Sequence, residues 1–217
     1  MNKKRKFLSS KMLDKKIRGF EQFAEEYSEE YGDVSLYVNL LKKFVSRLDH
    51  GAKVLELACG PGNITEFIYK CRNDLQIECV DIAPAMIELV KKKLPHVACH
   101  LNDIKSFKIR KNRYDGVICS FGLPYFTQKE AMQLFNNISG GLKKNGVAYL
   151  STMQGDTEGF ETFEFTRGTE VYIIYHNREF LDAEIKKNGL RIIKYEEQVF
   201  HEEEEDEIDM IYILGKK

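Results

Sequence analysis

No CxxC pair occurs anywhere in the 217 residues, and the cysteine count is odd, at five. Cys59, Cys71, Cys79, Cys99 and Cys119 mostly sit in or beside apolar runs, where free cysteine behaves as a small hydrophobe. That spacing argues against a disulfide framework and a structural zinc site, and for reduced thiols in a cytoplasmic protein. No metal is expected. Net charge is almost absent: 33 Lys and Arg against 34 Asp and Glu leave −1, so no global field draws in nucleic acid or a membrane. The basic cluster Lys3-Lys4-Arg5-Lys6 is not followed by an apolar stretch long enough for a signal peptide, and no run reaches transmembrane length. The cluster reads as a solvated start, with RNA contact as its alternative. Repeats and low-complexity linkers are missing too, and 43% hydrophobic residues suit one core, so a single domain over 1–217 is expected.

What is there centres on residues 53–65, KVLELACGPGNIT. Val54, Leu55 and Leu57 form the short apolar run of a strand covered on both faces. Gly60-Pro61-Gly62 breaks it, and Asn63 is placed to cap a helix continued by Ile64, Phe67 and Ile68. Glycine lets a ligand approach bare backbone, and the helix amides beyond present donors. Glu56 is the odd member, because a carboxylate in such a strand must be paired or face a polar cavity. A nucleotide or nucleoside site is one reading of this stretch, and a plain strand-to-helix turn is the other.

Residues 1–50 read as helical, with Phe20, Phe23 and Tyr27 on one face and a second amphipathic helix through Leu40, Leu41, Phe44 and Val45. The first stripe is either core packing or a lid over the glycine turn, with Tyr27 and Tyr31 toward a ligand. Residues 76–81, QIECVD, form a second strand ending on Asp81, nineteen residues after Gly62. An acidic residue at about that spacing accepts from both ribose hydroxyls in nucleotide-binding βαβ units. Pro84 opens the next helix, whose last turns carry Lys91, Lys92 and Lys93 as a solvated end. Residues 97–101 make a third strand, followed by Asn102 and Asp103 at its edge. Residues 114–120 make a fourth, and 147–152 a fifth after a turn at 143–146. This alternation implies a doubly wound, mostly parallel α/β sheet. Strand composition recurs at 161–165 and 170–175, and a helix starts at Asn177. Residues 190–199 and 208–214 then read as an antiparallel edge hairpin around an acidic loop at 202–207.

These residues resemble the class I S-adenosylmethionine-dependent methyltransferases, of the small-molecule group that includes ubiquinone/menaquinone-biosynthesis enzymes. VLELACGPGNIT is similar to the family's first motif and VDIAPAMIELVKKKL to its second. LNDIKSF, YDGVICSFGLPYF and LKKNGVAYLST match the later ones. The resemblance covers roughly 20–217 and is strong over 50–152. Ala58 replaces the first glycine of the usual GxGxG, and no Asn/Asp-Pro-Pro-Tyr motif is present, which disfavours an amine of nucleic acid or protein as acceptor.

The resemblance implies a seven-stranded Rossmann-like sheet with S-adenosyl-L-methionine as cofactor, divided into a helical lid (1–50), a cofactor half (51–152) and a substrate-side half (153–217). It implies that Glu56 orients the methionine end, and that Ala58, Gly60 and Gly62 admit its backbone-facing portions. Asp81 takes the ribose, with Ile82 and Met86 on adenine. Asp103 accepts from the adenine amine beside Ile104, and Ser120 and Phe121 flank the sulfonium. Tyr27, Cys59 and Asn102 complete the expected cofactor set. The acceptor is expected to be a small molecule, the protein a monomer or homodimer, and nucleic acid and membrane no partners. Tyr27, Tyr31, Tyr125 and His176 are expected to converge over the sulfonium, with Tyr125 and His176 catalytic and His176 the base if the acceptor must lose a proton. An RNA or protein methyltransferase and a binding module without turnover stay open. An NAD(P)-dependent oxidoreductase would want glycine where Thr65 stands.

Overall fold

The computed structural model describes residues 20–163, 166–200 and 207–217. The basic cluster at Lys3-Lys4-Arg5-Lys6 and all but the last residue of the acidic loop lie outside the described residues. In chain order the described elements are α1 (Ala24–Glu30), α2 (Val38–Val45), β1 (Lys53–Leu57), α3 (Asn63–Cys71), β2 (Gln76–Asp81), α4 (Pro84–Lys93), β3 (Ala98–Leu101) and β4 (Tyr114–Ser120). They continue with α5 (Gln128–Gly141), β5 (Leu142–Met153), β6 (Glu158–Glu161), β7 (Val171–Ile174), α6 (Arg178–Lys187), β8 (Leu190–Phe200) and β9 (Glu207–Lys216).

The main sheet has seven strands in the order β3-β2-β1-β4-β5-β9-β8. The first five are parallel; β9 inserts antiparallel between β5 and β8, with Leu150 opposite Tyr212. The chain lays β2 and β3 on one side of β1, then crosses back to lay β4 on the other. This reversal opens a crevice beyond the C-terminal ends of β1 and β4, where ligands of open α/β sheets bind.

Each face of the sheet carries its own core. Val54 and Ile118 pack with Leu41 and Phe44 of α2, Ile68 of α3 and Val90 of α4. Leu55, Leu57, Val117 and Cys119 face Leu134, Phe135 and Ile138 of α5 and Leu181 and Ile185 of α6. Burying each Leu or Phe contributes about 1.5–3 kcal/mol, which is why amphipathic helices settle on both faces. Glu56 follows Val54 by two, so it shares the α3 face of the strand.

Four local expectations change. Asn63 does not cap α3: Gly62, at φ +82°, holds the cap position without a side-chain bond, and Asn63 is the first helical residue. Its amide instead donates to Tyr31 O at 2.8 Å and accepts from Lys93 Nζ at 3.1 Å. Lys93 also reaches Ser28 Oγ at 3.0 Å, so the lysine run is not wholly solvated. Among the described residues of the strand expected at 161–165, only Glu161 is in a strand, at the end of Glu158–Glu161, where its partner β7 sets the register, Glu161 opposite Val171; residues 164 and 165 lie outside the described residues. The turn at 143–146 falls inside β5, with Asn145 at φ +65°. Asn177 does cap its helix, accepting from Phe180 N at 2.8 Å. Among the described residues no helix is long and apolar enough to cross a membrane.

Candidate active site

The turn after β1 is shaped by three left-handed residues: Ala58 at φ +52°, Gly60 at +52° and Gly62 at +82°. A Cβ on Gly62 would also stand 3.0 Å from Val90 Cγ2, so glycine there serves both φ and packing. Asp81, at the end of β2, braces the turn. Its Oδ2 accepts from Gly60 N at 2.8 Å and its Oδ1 from Ala83 N at 2.9 Å. Burial pushes the Asp81 carboxyl up, and those backbone donors partly offset it.

Glu56 is 1% exposed and accepts a short hydrogen bond from Thr65 Oγ1. Burial pushes its pKa up to about 8, against the opposing pull of the Thr65 hydroxyl. The backbone position that an NAD(P) fingerprint gives to glycine is therefore filled by a fully buried threonine tied to this carboxylate.

Two cavities meet over the crevice. The smaller, about 120 Å³, is walled by Asp81, Ile82, Met86, Asp103, Ile104 and Phe126, among others. The larger, about 930 Å³, takes in Glu56, Cys59, Tyr31, Tyr37 and Asp209. Tyr27, Ala58, Gly60, Ser120, Phe121 and Tyr125 line both. Phe121 is itself left-handed, φ +50°, and Ser120 Oγ bonds Ser151 Oγ at 2.7 Å. Tyr27 packs against Tyr31, ring centroids 4.8 Å apart, and against Phe20, which in turn packs edge-on against Tyr125. Burial raises the Tyr27 hydroxyl to about 12 and Tyr125 well above its ordinary value, so both stay protonated.

Of the residues expected here, three do not reach a cavity. Gly62 supports the turn from behind, as described. Asn102 points to solvent; its N–H donates to Asp81 O at 2.8 Å and its side chain receives only a 3.4 Å contact from Ser106 Oγ. His176 is 1% exposed and lines neither cavity. Its Nε2–H donates to the carbonyls of Leu123 at 3.2 Å and Phe126 at 3.1 Å, and its ring stacks on Phe180. Burial lowers its pKa. A neutral imidazole holding together the loop behind the pocket is a structural part, not a base in contact with an acceptor. The convergence expected of four residues is met by Tyr27, Tyr31 and Tyr125 only.

Other residues reach the site that the expected set did not include. Phe20, Lys105, Gly122 and Phe126 complete the smaller cavity. Tyr37 OH donates to Asp209 Oδ2 at 2.6 Å across the larger one, joining residues 172 positions apart. Asp209 stands in the apolar strand β9 as Glu56 stands in β1, and that in-strand carboxylate is the signal that would have found it. Among the described residues, no group of three or more His, Cys, Asp or Glu is arranged to hold a metal ion.

A family model described as a methyltransferase domain matches residues 54–146. The malonyl-[acyl-carrier protein] O-methyltransferase 1 of Ilyobacter polytropus is 28% identical over 183 residues, which are 78% of this chain and 67% of that protein. Residues 54–146 are a methyltransferase domain, and the relatives named methyltransferases together with the fold support a class I S-adenosylmethionine-dependent methyltransferase. That domain and the relatives it is similar to imply S-adenosyl-L-methionine as the cofactor. This methyltransferase is also 27% identical over 163 residues to the carboxy-S-adenosyl-L-methionine synthase of Campylobacter concisus, covering 69% of the chain and 68% of the relative. Among solved structures, an S-adenosylmethionine-dependent methyltransferase from Clostridium acetobutylicum is similar at TM-score 0.67 and 18% identity, over 90% of this chain and 98% of that one. The geranyl diphosphate C-methyltransferase of Streptomyces coelicolor, solved with S-adenosyl-L-homocysteine, is similar at TM-score 0.65 and 11% identity, over 84% and 76%. At such identities the solved structures speak for the fold alone.

Proposed function

We propose that this methyltransferase acts on a small-molecule acceptor, with the cofactor's nucleoside end in the smaller cavity and the acceptor in the larger. The observation that carries this reading is the pair of adjoining cavities with one shared wall, each with its own buried carboxylate. Asp81 and Glu56 both sit above their ordinary carboxylate range because burial disfavours their charge. A ligand bringing a cationic ammonium to Glu56 and a diol to Asp81 satisfies both, and S-adenosylmethionine carries those groups.

Each residue then has a task. Asp81 accepts from the ribose hydroxyls through lone pairs its two backbone bonds leave free. Ile82, Met86 and Ile104 hold the adenine by apolar contact, and Asp103 accepts from its amine. Ala58 and Gly60 keep the turn open to close approach, and Glu56 fixes the amino-acid end. When bound, S-adenosylmethionine supplies an electrophilic methyl on a sulfonium. Ser120, Phe121 and Tyr125 wall the passage where the acceptor meets that methyl, align it and exclude water. The malonyl acceptor in the name of the Ilyobacter relative is an acid; no Lys, Arg or His side chain among the described residues lines the larger cavity to receive one. Titration calorimetry tests the proposal. One-to-one binding of S-adenosylhomocysteine, displaced by S-adenosylmethionine and with no heat from NADH, is expected. NADH binding without S-adenosylhomocysteine binding would overturn it.

A further inference from the structure

The wall of the larger cavity is chemically one-sided. Away from Glu56 it carries Glu30, Asp33, Glu161, Glu170, Glu207 and Asp209, and no described residue on it is a Lys, Arg or His. None of the six is ion-paired among the described residues: Asp33 accepts from Ser35, Glu161 from Tyr175 OH at 3.0 Å and Asp209 from Tyr37 OH. Such a rim places a negative potential over the opening, which repels anions and concentrates cations.

Inside the rim one carboxylate is built as a receptor. Asp209 is 8% exposed, faces the cavity, and takes one hydrogen bond, at Oδ2. Its Oδ1 has no protein donor among the described residues. That oxygen stays open to the cavity as a free acceptor for an entering donor, and burial pushes the carboxyl's pKa up to about 6. Aromatic rings line the same wall. Tyr37, which holds Asp209, packs edge-on to Phe121, ring centroids 5.6 Å apart, and Phe121 lies on the wall shared with the smaller cavity. Ring faces attract cations and do not attract anions.

We propose that the acceptor is a small amine, captured as its cation with the nitrogen on Asp209 and Tyr37. This rests on the methyltransferase reading of the two cavities and names the acceptor class within it. In the transfer the nitrogen first gives its proton to water through Asp209. Its lone pair then forms the N–C bond, while the S–C bond breaks and its electron pair stays on sulfur as the neutral thioether. Carboxylate and phosphate acceptors are turned away at the rim, and neutral alcohols of the same shape lose the charge contact.

Three probes of one shape separate the cases: phenethylamine as the cation, 2-phenylethanol as the neutral form and phenylacetate as the anion. Each is titrated at pH 7 into protein saturated with S-adenosylhomocysteine, by calorimetry and ligand-observed NMR. The amine is expected to bind about tenfold or more tighter than the alcohol, and phenylacetate more weakly still. Asp209→Asn is expected to erase that order while S-adenosylhomocysteine affinity stays within about twofold. Equal binding of all three probes, including no binding of any, overturns the proposal, as does tighter binding of phenylacetate or a preference that survives Asp209→Asn. Loss of S-adenosylhomocysteine binding by the wild-type protein would instead sink the methyltransferase reading, and the first titration reads that separately.

Discussion

Replacing Glu56 by glutamine separates what this carboxylate does for the fold from what it does for the ligand. Glutamine keeps the shape and still accepts from Thr65 Oγ1, but carries no charge. In the folded protein without ligand, Glu56 titrates near 8 rather than at its ordinary 4.5. The folded state therefore holds a proton that the unfolded chain gives up, so the stabilisation is complete below about pH 4.5 and is lost as pH rises through about 8. The whole shift corresponds to at most about 5 kcal/mol across that window. Urea unfolding of the ligand-free protein from pH 5 to 9 reads it directly. The wild-type curve is expected to fall with pH and the Glu56→Gln curve to fall less, leaving the variant more stable above pH 8. S-adenosylhomocysteine should show the opposite ranking, because its ammonium restores the wild-type carboxylate and expels about one proton near pH 7. Calorimetry in buffers of different ionisation heat counts that proton. Parallel stability curves, or no proton release in the wild type, would refute the assignment.

Two further substitutions follow the same geometry. Asp81→Ala is expected to weaken S-adenosylhomocysteine binding by about 2–4 kcal/mol, from two overlapping charge-assisted hydrogen bonds. It should also lower the melting temperature, because Gly60 N and Ala83 N lose their acceptor; unchanged affinity in a folded variant would remove Asp81 from the site. His176→Ala is expected to destabilise by about 2–4 kcal/mol through a lost ring stack and two orphaned carbonyls. Its kcat on any acceptor should stay within about twofold below the unfolding temperature, and a large kcat loss in folded protein would return His176 to the chemistry.

The cofactor half was readable because its signals are local. Strands β1, β2 and β4 are buried on both faces and bounded by glycine or acidic edges, so their apolar runs gave their limits. Asp81 and Glu56 stood out as carboxylates ending or interrupting such runs. Asn63 misled because an N-cap residue type stood beside a glycine already at φ +82°. The residue has a different task, tying Tyr31 and Lys93 to the turn. His176 misled because a histidine between a strand and a helix carries no local sign of burial, and only the fold wraps the Leu123 and Phe126 carbonyls around it. The Tyr37–Asp209 contact was out of reach for a related reason. It exists only because β9 returns to the middle of the sheet and sets its register against β5, with Asp209 opposite Met153.

The most direct measurement is a crystal structure of the protein with S-adenosylhomocysteine. The account predicts adenine between Ile82, Met86 and Ile104 with its amine at Asp103, ribose hydroxyls on Asp81, the ammonium toward Glu56, and the sulfur beside Ser120 and Phe121, facing the larger cavity. A ligand with adenine in the larger cavity, or with its sulfur turned away from Phe121 and Tyr125, would contradict it.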